Sequence, residues 1–196
     1  MTTPQGFGAD TSERLPLISE SQRTPEQSAA AAAIIHGPRK ALFGPFVPLL
    51  HKPALMQPLG DLGATLRFDS GLADDIRELV IAATARATDN QFEWQTHAPL
   101  ALKAGVNEKI LDALAERRTP RELPNDQAIA LDVVAEVLAT NGVSNATFAA
   151  AEACFGRAGL VELVVLVGYF ATICWVMNIS RTPGPGGYPA LQAAPK

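Results

Sequence analysis

The chain has 196 residues, of which 47% are hydrophobic and 18% charged, with a formal net charge of −4. That length fits one domain with tails, and that apolar content can fill a substantial core. The basic residues are scattered through a mildly acidic chain, which excludes a phosphate-binding surface and leaves nucleic acid outside the expected partners.

Residues 1–23 are polar, carry Pro and Gly and show no period, so a flexible N-terminal arm is expected. They have neither a basic n-region nor an apolar h-region, and the reading is a cytoplasmic protein without an export signal. Thr24-Pro25-Glu26-Gln27 opens a helix: Thr24 caps, Pro25 suits the first turn, and Gln27 can close a capping box. That helix runs through the alanine tract to Gly37-Pro38. A short, proline-punctuated segment follows at Gly44–Pro48, then a helix from Pro53 to Phe68. Ala73 to about Ala87 reads as a helix apolar nearly all round, which belongs in the interior. Thr88-Asp89-Asn90 breaks it, and Asp89 or Asn90 caps the next helix, which runs to about Ala104.

Asn107 begins another helix, ending near Arg117–Pro120. Later helices are Asp126–Thr140, stopped by Asn141-Gly142, then Asn145–Phe155 capped by Ser144, and Leu160–Ile179. The apolar stretch Leu163–Met177 falls short of the roughly 18–20 residues of a membrane span and reads as a buried core helix. From Thr182 the chain is Pro/Gly-rich, an irregular tail either free or draped on a neighbour. The expected architecture is all-α: a single domain of about eight helices over 24–181, with a tail at 182–196.

Chemistry concentrates between Glu78 and His97. Glu93 and His97 stand at i,i+4 on one helix, hence on one face, which continues through apolar Leu100, Ala101 and Ala104. Glu78 shares its own helix face with Ile81, Ala82 and Ala85. Poorly solvated carboxylates beside an imidazole form a plausible proton-transfer unit near neutral pH. Pro99 cannot bond back to the Gln95 carbonyl, so a kink and a free carbonyl are expected one turn from His97. Trp94 is a candidate substrate contact, although both it and Phe92 suit a core better. His36 at a helix end is accounted for by a favourable interaction with the helix dipole, and His51 beside prolines has no visible partner. With three histidines and no clustered ligand motif, neither a metal nor another cofactor is expected. Cys154 and Cys174 match no disulfide framework or CxxC spacing and read as two reduced core thiols.

Three stretches, GPRKALFGPFVPLL, RELVIAATARATDNQFEWQTHAPLALKAGVNEKILDAL and GLVELVVLVGYF, resemble the carboxymuconolactone decarboxylase family, which includes alkylhydroperoxidase-like proteins. The resemblance spans Gly37 to Arg181. It implies an all-α fold and an obligate homo-oligomer, a trimer or a hexamer built of trimers. Redox members carry CxxC, a histidine four residues after the second cysteine, and a glutamate on the preceding helix. Here the cysteine positions hold Asn90 and Glu93, while His97 and Glu78 match the histidine and the glutamate. Thiol peroxidase chemistry needs a thiolate, which neither an amide nor a carboxylate replaces.

The resemblance therefore points to the cysteine-free branch, which includes the cofactor-free gamma-carboxymuconolactone decarboxylase of aromatic catabolism. In that reading His97 delivers a proton, Glu93 orients it and sets its pKa, and Glu78 supports. Arg86, Arg39 or Arg181 would meet a substrate carboxylate. The expected function is a carbon–carbon lyase or isomerase acting on a small carboxylated, enolisable compound. Hydroperoxide reductase and non-catalytic scaffold are the alternatives.

Overall fold

Local signals set the helix boundaries in the computed structural model, which describes residues 12–37 and 39–192. Thr24 accepts from the Gln27 N–H while the Gln27 side chain accepts from the Thr24 N–H, so the capping box opens α1 (Pro25–His36) as expected. The proline-punctuated segment contains a single turn, α2 (Phe46–Leu49), and α3 (Pro53–Phe68) follows. Next come α4 (Asp74–Ala87) and α5 (Gln91–Lys103), the latter running on through Pro99. After α6 (Glu108–Ala115), α7 (Asn125–Thr140) ends on Asn141 in the left-handed conformation. The last element, α8 (Asn145–Ser180), joins the two helices expected at 145–155 and 160–179 across Gly156, whose φ of 68° interrupts it. Among the described residues there are eight α-helices, one short 3₁₀ turn (Glu20–Gln22) and no strand.

The central element is α4, and its sequence explains why. Ile76, Val80, Ile81 and Ala83 enter a large core shared with α1, α2, α3, α7 and α8. Leu79, Ala82 and Ala85 enter a second core with Trp94, Ala98 and Ala101 of α5 and Ile110 and Leu111 of α6. A helix between two cores must be apolar on every side, and its alanines let both neighbours approach closely.

Three expectations need correction. Residues 12–23, read as part of a flexible arm, lie against the domain: the Arg14 N–H donates to the Ser180 carbonyl at 2.8 Å. The remainder of that arm lies outside the described residues. Cys154 is exposed rather than in the core, and only Cys174 is buried. The stretch Leu163–Met177, read as a buried core helix, is buried on one side only: Val165 (40%) and Trp175 (57%) are exposed. Among the described residues α8 is the one helix long and apolar enough to cross a membrane by composition, with 56% of its most apolar window buried in the bundle.

The tail from Thr182 drapes along α5 of its own chain. Gln95 donates to the Tyr188 carbonyl, Trp94 Nε1–H to the Pro189 carbonyl at 3.1 Å, and Gln91 exchanges two bonds with Leu191. Leu191 is buried in the second core.

Candidate active site

The start of α5 fixes the phase of the site. Asn90 caps the helix by accepting from the Glu93 N–H at 2.8 Å. Its amide donates to the Cys174 carbonyl (3.1 Å) and to Asn178 Oδ1 (2.8 Å), both on α8. Asn178 in turn donates to the Thr88 carbonyl at 2.7 Å. Asn90 thus serves as a cap that pins α5 to α8. The turn before it is held by Asp89, which takes Arg86 at 2.7 Å and Arg117 at 2.6 Å.

With that phase, Glu93 and His97 face inward and meet Glu78 of α4. His97 Nδ1 lies 2.6 Å from Glu78 Oε2, and Nε2 lies 3.1 Å from Glu93 Oε2. All three groups are buried, with 2% (His97), 4% (Glu93) and 5% (Glu78) exposure. Burial works against a charged His97, but the hydrogen bonds and charges of Glu78 and Glu93 outweigh it, so its pKa is raised. Burial likewise works to raise Glu78, and is outweighed by the hydrogen bond and charge of His97 and by the charges of Arg77 and Arg67, so its pKa is lowered. The ring of Phe170 stands edge-on to the imidazole at 5.2 Å.

A small chamber of about 30 Å³ opens in front of Glu93 and His97. Arg39, Arg67, Phe92, Tyr169 and Phe170 are among its walls. Burial pushes the Arg39 pKa down, while the Tyr169 hydroxyl hydrogen-bonds the guanidinium and favours its charge. Gly63 makes room for this pair, since a Cβ there would stand 2.1 Å from the Tyr169 hydroxyl. Arg67 Nε is buried with no hydrogen-bond partner among the described residues, a donor left available to an anion.

Glu78, Glu93 and His97 are therefore brought together, and Arg39 joins them at the chamber. Three candidates are not. Arg86 is spent on Asp89 and on the Gln192 carbonyl and lines a different pocket. Trp94 is buried in the second core, tilted against Tyr188. Arg181 ends α8 in the left-handed conformation and reaches Ser12. Sequence reasoning missed Arg67, Phe43 and Tyr169. They come from segments far from the EWxxH run, and none carried a local signal. Among the described residues, no group of three or more His, Cys, Asp or Glu side chains is arranged to hold a metal ion.

These features define an all-helical bundle with a buried Glu-His-Glu cluster. Residues 53–136 match the carboxymuconolactone decarboxylase family model, and this segment holds Glu78, Glu93, His97 and Arg67. The fold is similar to that of a peroxidase-related protein from Ralstonia eutropha JMP134, described as an alkylhydroperoxidase AhpD core. That likeness has a TM-score of 0.69 and 17% identity, covering 88% of this chain and 92% of that one. A peroxidase-related protein from Silicibacter sp. TM1040 gives a TM-score of 0.64 at 12% identity, covering 92% and 91%. The debrominase Bmp8 gives 0.64 at 10% identity, covering 89% and 94%. A sequence search of curated proteins finds no match.

The shifts at His97 and Glu78 carry a stability signature. A raised His97 stabilises the folded state fully below its ordinary value of 6.5, and this is lost as pH rises through the folded pKa. A lowered Glu78 stabilises above its ordinary value of 4.5, and this is lost as pH falls through the folded pKa. Urea unfolding of the wild type and of His97→Gln should therefore differ most between pH 4.5 and 6.5. The difference should shrink above that window with a slope of up to about 1.4 kcal/mol per pH unit. A difference that grew steadily towards alkaline pH would contradict the cluster.

Proposed function

We propose that the protein is a cofactor-free lyase or isomerase that moves a proton on a small, carboxylated, enolisable substrate. The observation that carries this reading is the two-sided clamp on His97, with His97 and Glu93 both lining the chamber. For a decarboxylation, the bond to the carboxylate carbon breaks, carbon dioxide leaves, and the electron pair moves into a conjugated carbonyl to form an enolate. Arg39 and Arg67 hold the anionic oxygens and carry the charge that develops there. Glu93 relays the proton of His97 Nε2–H to the substrate carbon, His97 is reprotonated from solvent, and Glu78 keeps the imidazole charged and oriented. In an isomerisation the same group removes a proton at one carbon and returns it at another.

A hydroperoxide reductase is disfavoured on chemical grounds. Asn90 serves as a helix cap, Glu93 is a carboxylate, and neither can act as the thiolate that reaction requires. Burial pushes the Cys174 thiol well above its ordinary pKa. Cys154 lines a separate surface pocket beside Gly71 and Asp126.

A panel of small unsaturated acids and lactones, followed by carbon dioxide release and by deuterium uptake from heavy water, tests the proposal. His97→Ala should lower turnover about 10²–10⁴-fold, and Glu93→Gln should lower it comparably. The double variant should lose less than the product of the two. Arg67→Met should raise KM more than it lowers kcat. Full activity in folded His97→Ala and Glu93→Gln would sink the reading.

We further infer self-association through α8. Val161, Val165, Gly168, Thr172, Trp175 and Ile179 are all exposed and form a seam spaced alternately four and three residues apart. Small residues lie at its centre and large apolar ones at its ends, which suits the same helix of a second copy crossing at Gly168 and Thr172. Light scattering should report a homo-oligomer, a trimer or hexamer as the family resemblance implies, and Val165→Asp should reduce its size. A monomer at micromolar concentration would contradict this.

A further inference from the structure

The chamber in front of Glu93 is about 30 Å³, room for a water or two and not for a whole substrate. Directly outside it lies a second cavity of about 650 Å³, a volume typical of small-molecule sites. Phe43, Phe92 and Thr96 line both and form the partition. The two phenyl rings stand 6.4 Å apart at 32°, and Phe43 is 45% exposed, with room to swing. Phe92 lies on the backbone at Gly44, where a Cβ would come within 2.6 Å of its ring carbons and φ is +55°. Only glycine lets the ring settle there.

The outer cavity is walled by Leu17, Leu42, Val47, Pro183 and Pro185, with Glu13 as its charged lining residue. Leu17 precedes α1 and the prolines follow α8, so segments from both ends of the chain build this wall. None of these five residues falls within the stretch matching the family model. Charge is sorted across the partition. Arg39, the unpartnered Arg67 Nε, Glu93 and His97 lie within, and an apolar surface with one carboxylate lies without.

We propose that the substrate is amphipathic, with a compact acidic head that passes between Phe43 and Phe92 to Arg39, Arg67 and Glu93. An aliphatic or aryl limb stays in the outer cavity. The inner chamber is too small for anything but the head, and apolar burial favours the limb outside. The Glu13 carboxylate opposes the reverse orientation, which would bring a second negative charge to it. The nature of the head rests on the proton-transfer reading above, whereas the limb rests on the outer cavity alone.

Calorimetry on the full chain with benzoate and 4-butylbenzoate as probes tests this. A buried methylene is worth up to about fourfold in affinity, so 4-butylbenzoate should bind at least about tenfold more tightly than benzoate. Leu17→Asp, at a position already 47% exposed and so tolerant of polarity, should erase most of that preference, weakening 4-butylbenzoate at least about fivefold more than benzoate. Arg67→Met should weaken both acids alike. A melting curve on each variant separates a binding defect from a folding one. Equal affinity for the two acids, equal loss of both in Leu17→Asp, or no binding of either would overturn the proposal. If chain length has no effect while His97-dependent turnover persists on compact acids, the limb site falls and the proton-transfer reading stands. If the length preference appears but no acid in the panel turns over, the reading falls and the limb site stands.

Discussion

Both ring nitrogens of His97 meet a carboxylate, and that two-sided clamp is the constraint around which the rest of the site is arranged. A buried charge costs several kcal/mol unless it is paired and hydrogen-bonded. An imidazolium between Glu78 and Glu93 satisfies that requirement for itself and leaves one excess negative charge. Arg77, 3.4 Å from Glu78, and the two chamber arginines offset this excess. The clamp also joins α4 to α5, two helices connected by only a tight turn. The geometry therefore needs that turn fixed, which Arg86, Asp89 and Arg117 do. It also needs the phase of α5 fixed, which Asn90 does. Arg86 is thus tied to the site through the scaffold while never reaching the chamber.

The parts of this arrangement that depend on local periodicity were legible in the sequence. Helix ends followed from Thr24, Asn90, Asn107 and Ser144, whose side chains bond the first turn in each case. The all-round apolarity of α4 announced a helix between two cores, and the spacing of Glu93 and His97 put them on one face. Glu78 stood out by the apolar face of its own helix, and the family resemblance tied it to His97, because nothing local links residues on different helices. Arg67 and Tyr169 were not legible for the same reason: their side chains converge from α3 and α8 only after packing. The nearest hint was Gly63, whose missing side chain admits Tyr169. Trp94 and Phe92, two residues apart, point to different cores, and the aromatic that lines the chamber is Phe92. On α8 the seam was hidden because the helix is apolar on both its faces, so no polar stripe marked the outer one.

The ends of the chain carry more than their composition suggested. Pro/Gly-rich sequence gives an irregular backbone, but irregular backbone can still be held by side chains. Here Gln91, Trp94 and Gln95 supply the bonds that the tail cannot make to itself. One helix, α5, thereby has two occupations: its inner face holds the proton-transfer cluster and its outer face holds the tail. Movement of the tail would be felt first at the outer cavity, which Pro183 and Pro185 line.

The protonation state of His97 in the resting protein tests this account most directly. Nitrogen NMR of imidazole-labelled protein, recorded across a pH series, reads both ring nitrogens at once. The account predicts that both still carry protons at the ordinary histidine value of 6.5, with a His97 signal that moves to the neutral form only at higher pH. A neutral, single-tautomer imidazole at or below that value, in protein with Glu78 and Glu93 intact, would contradict it.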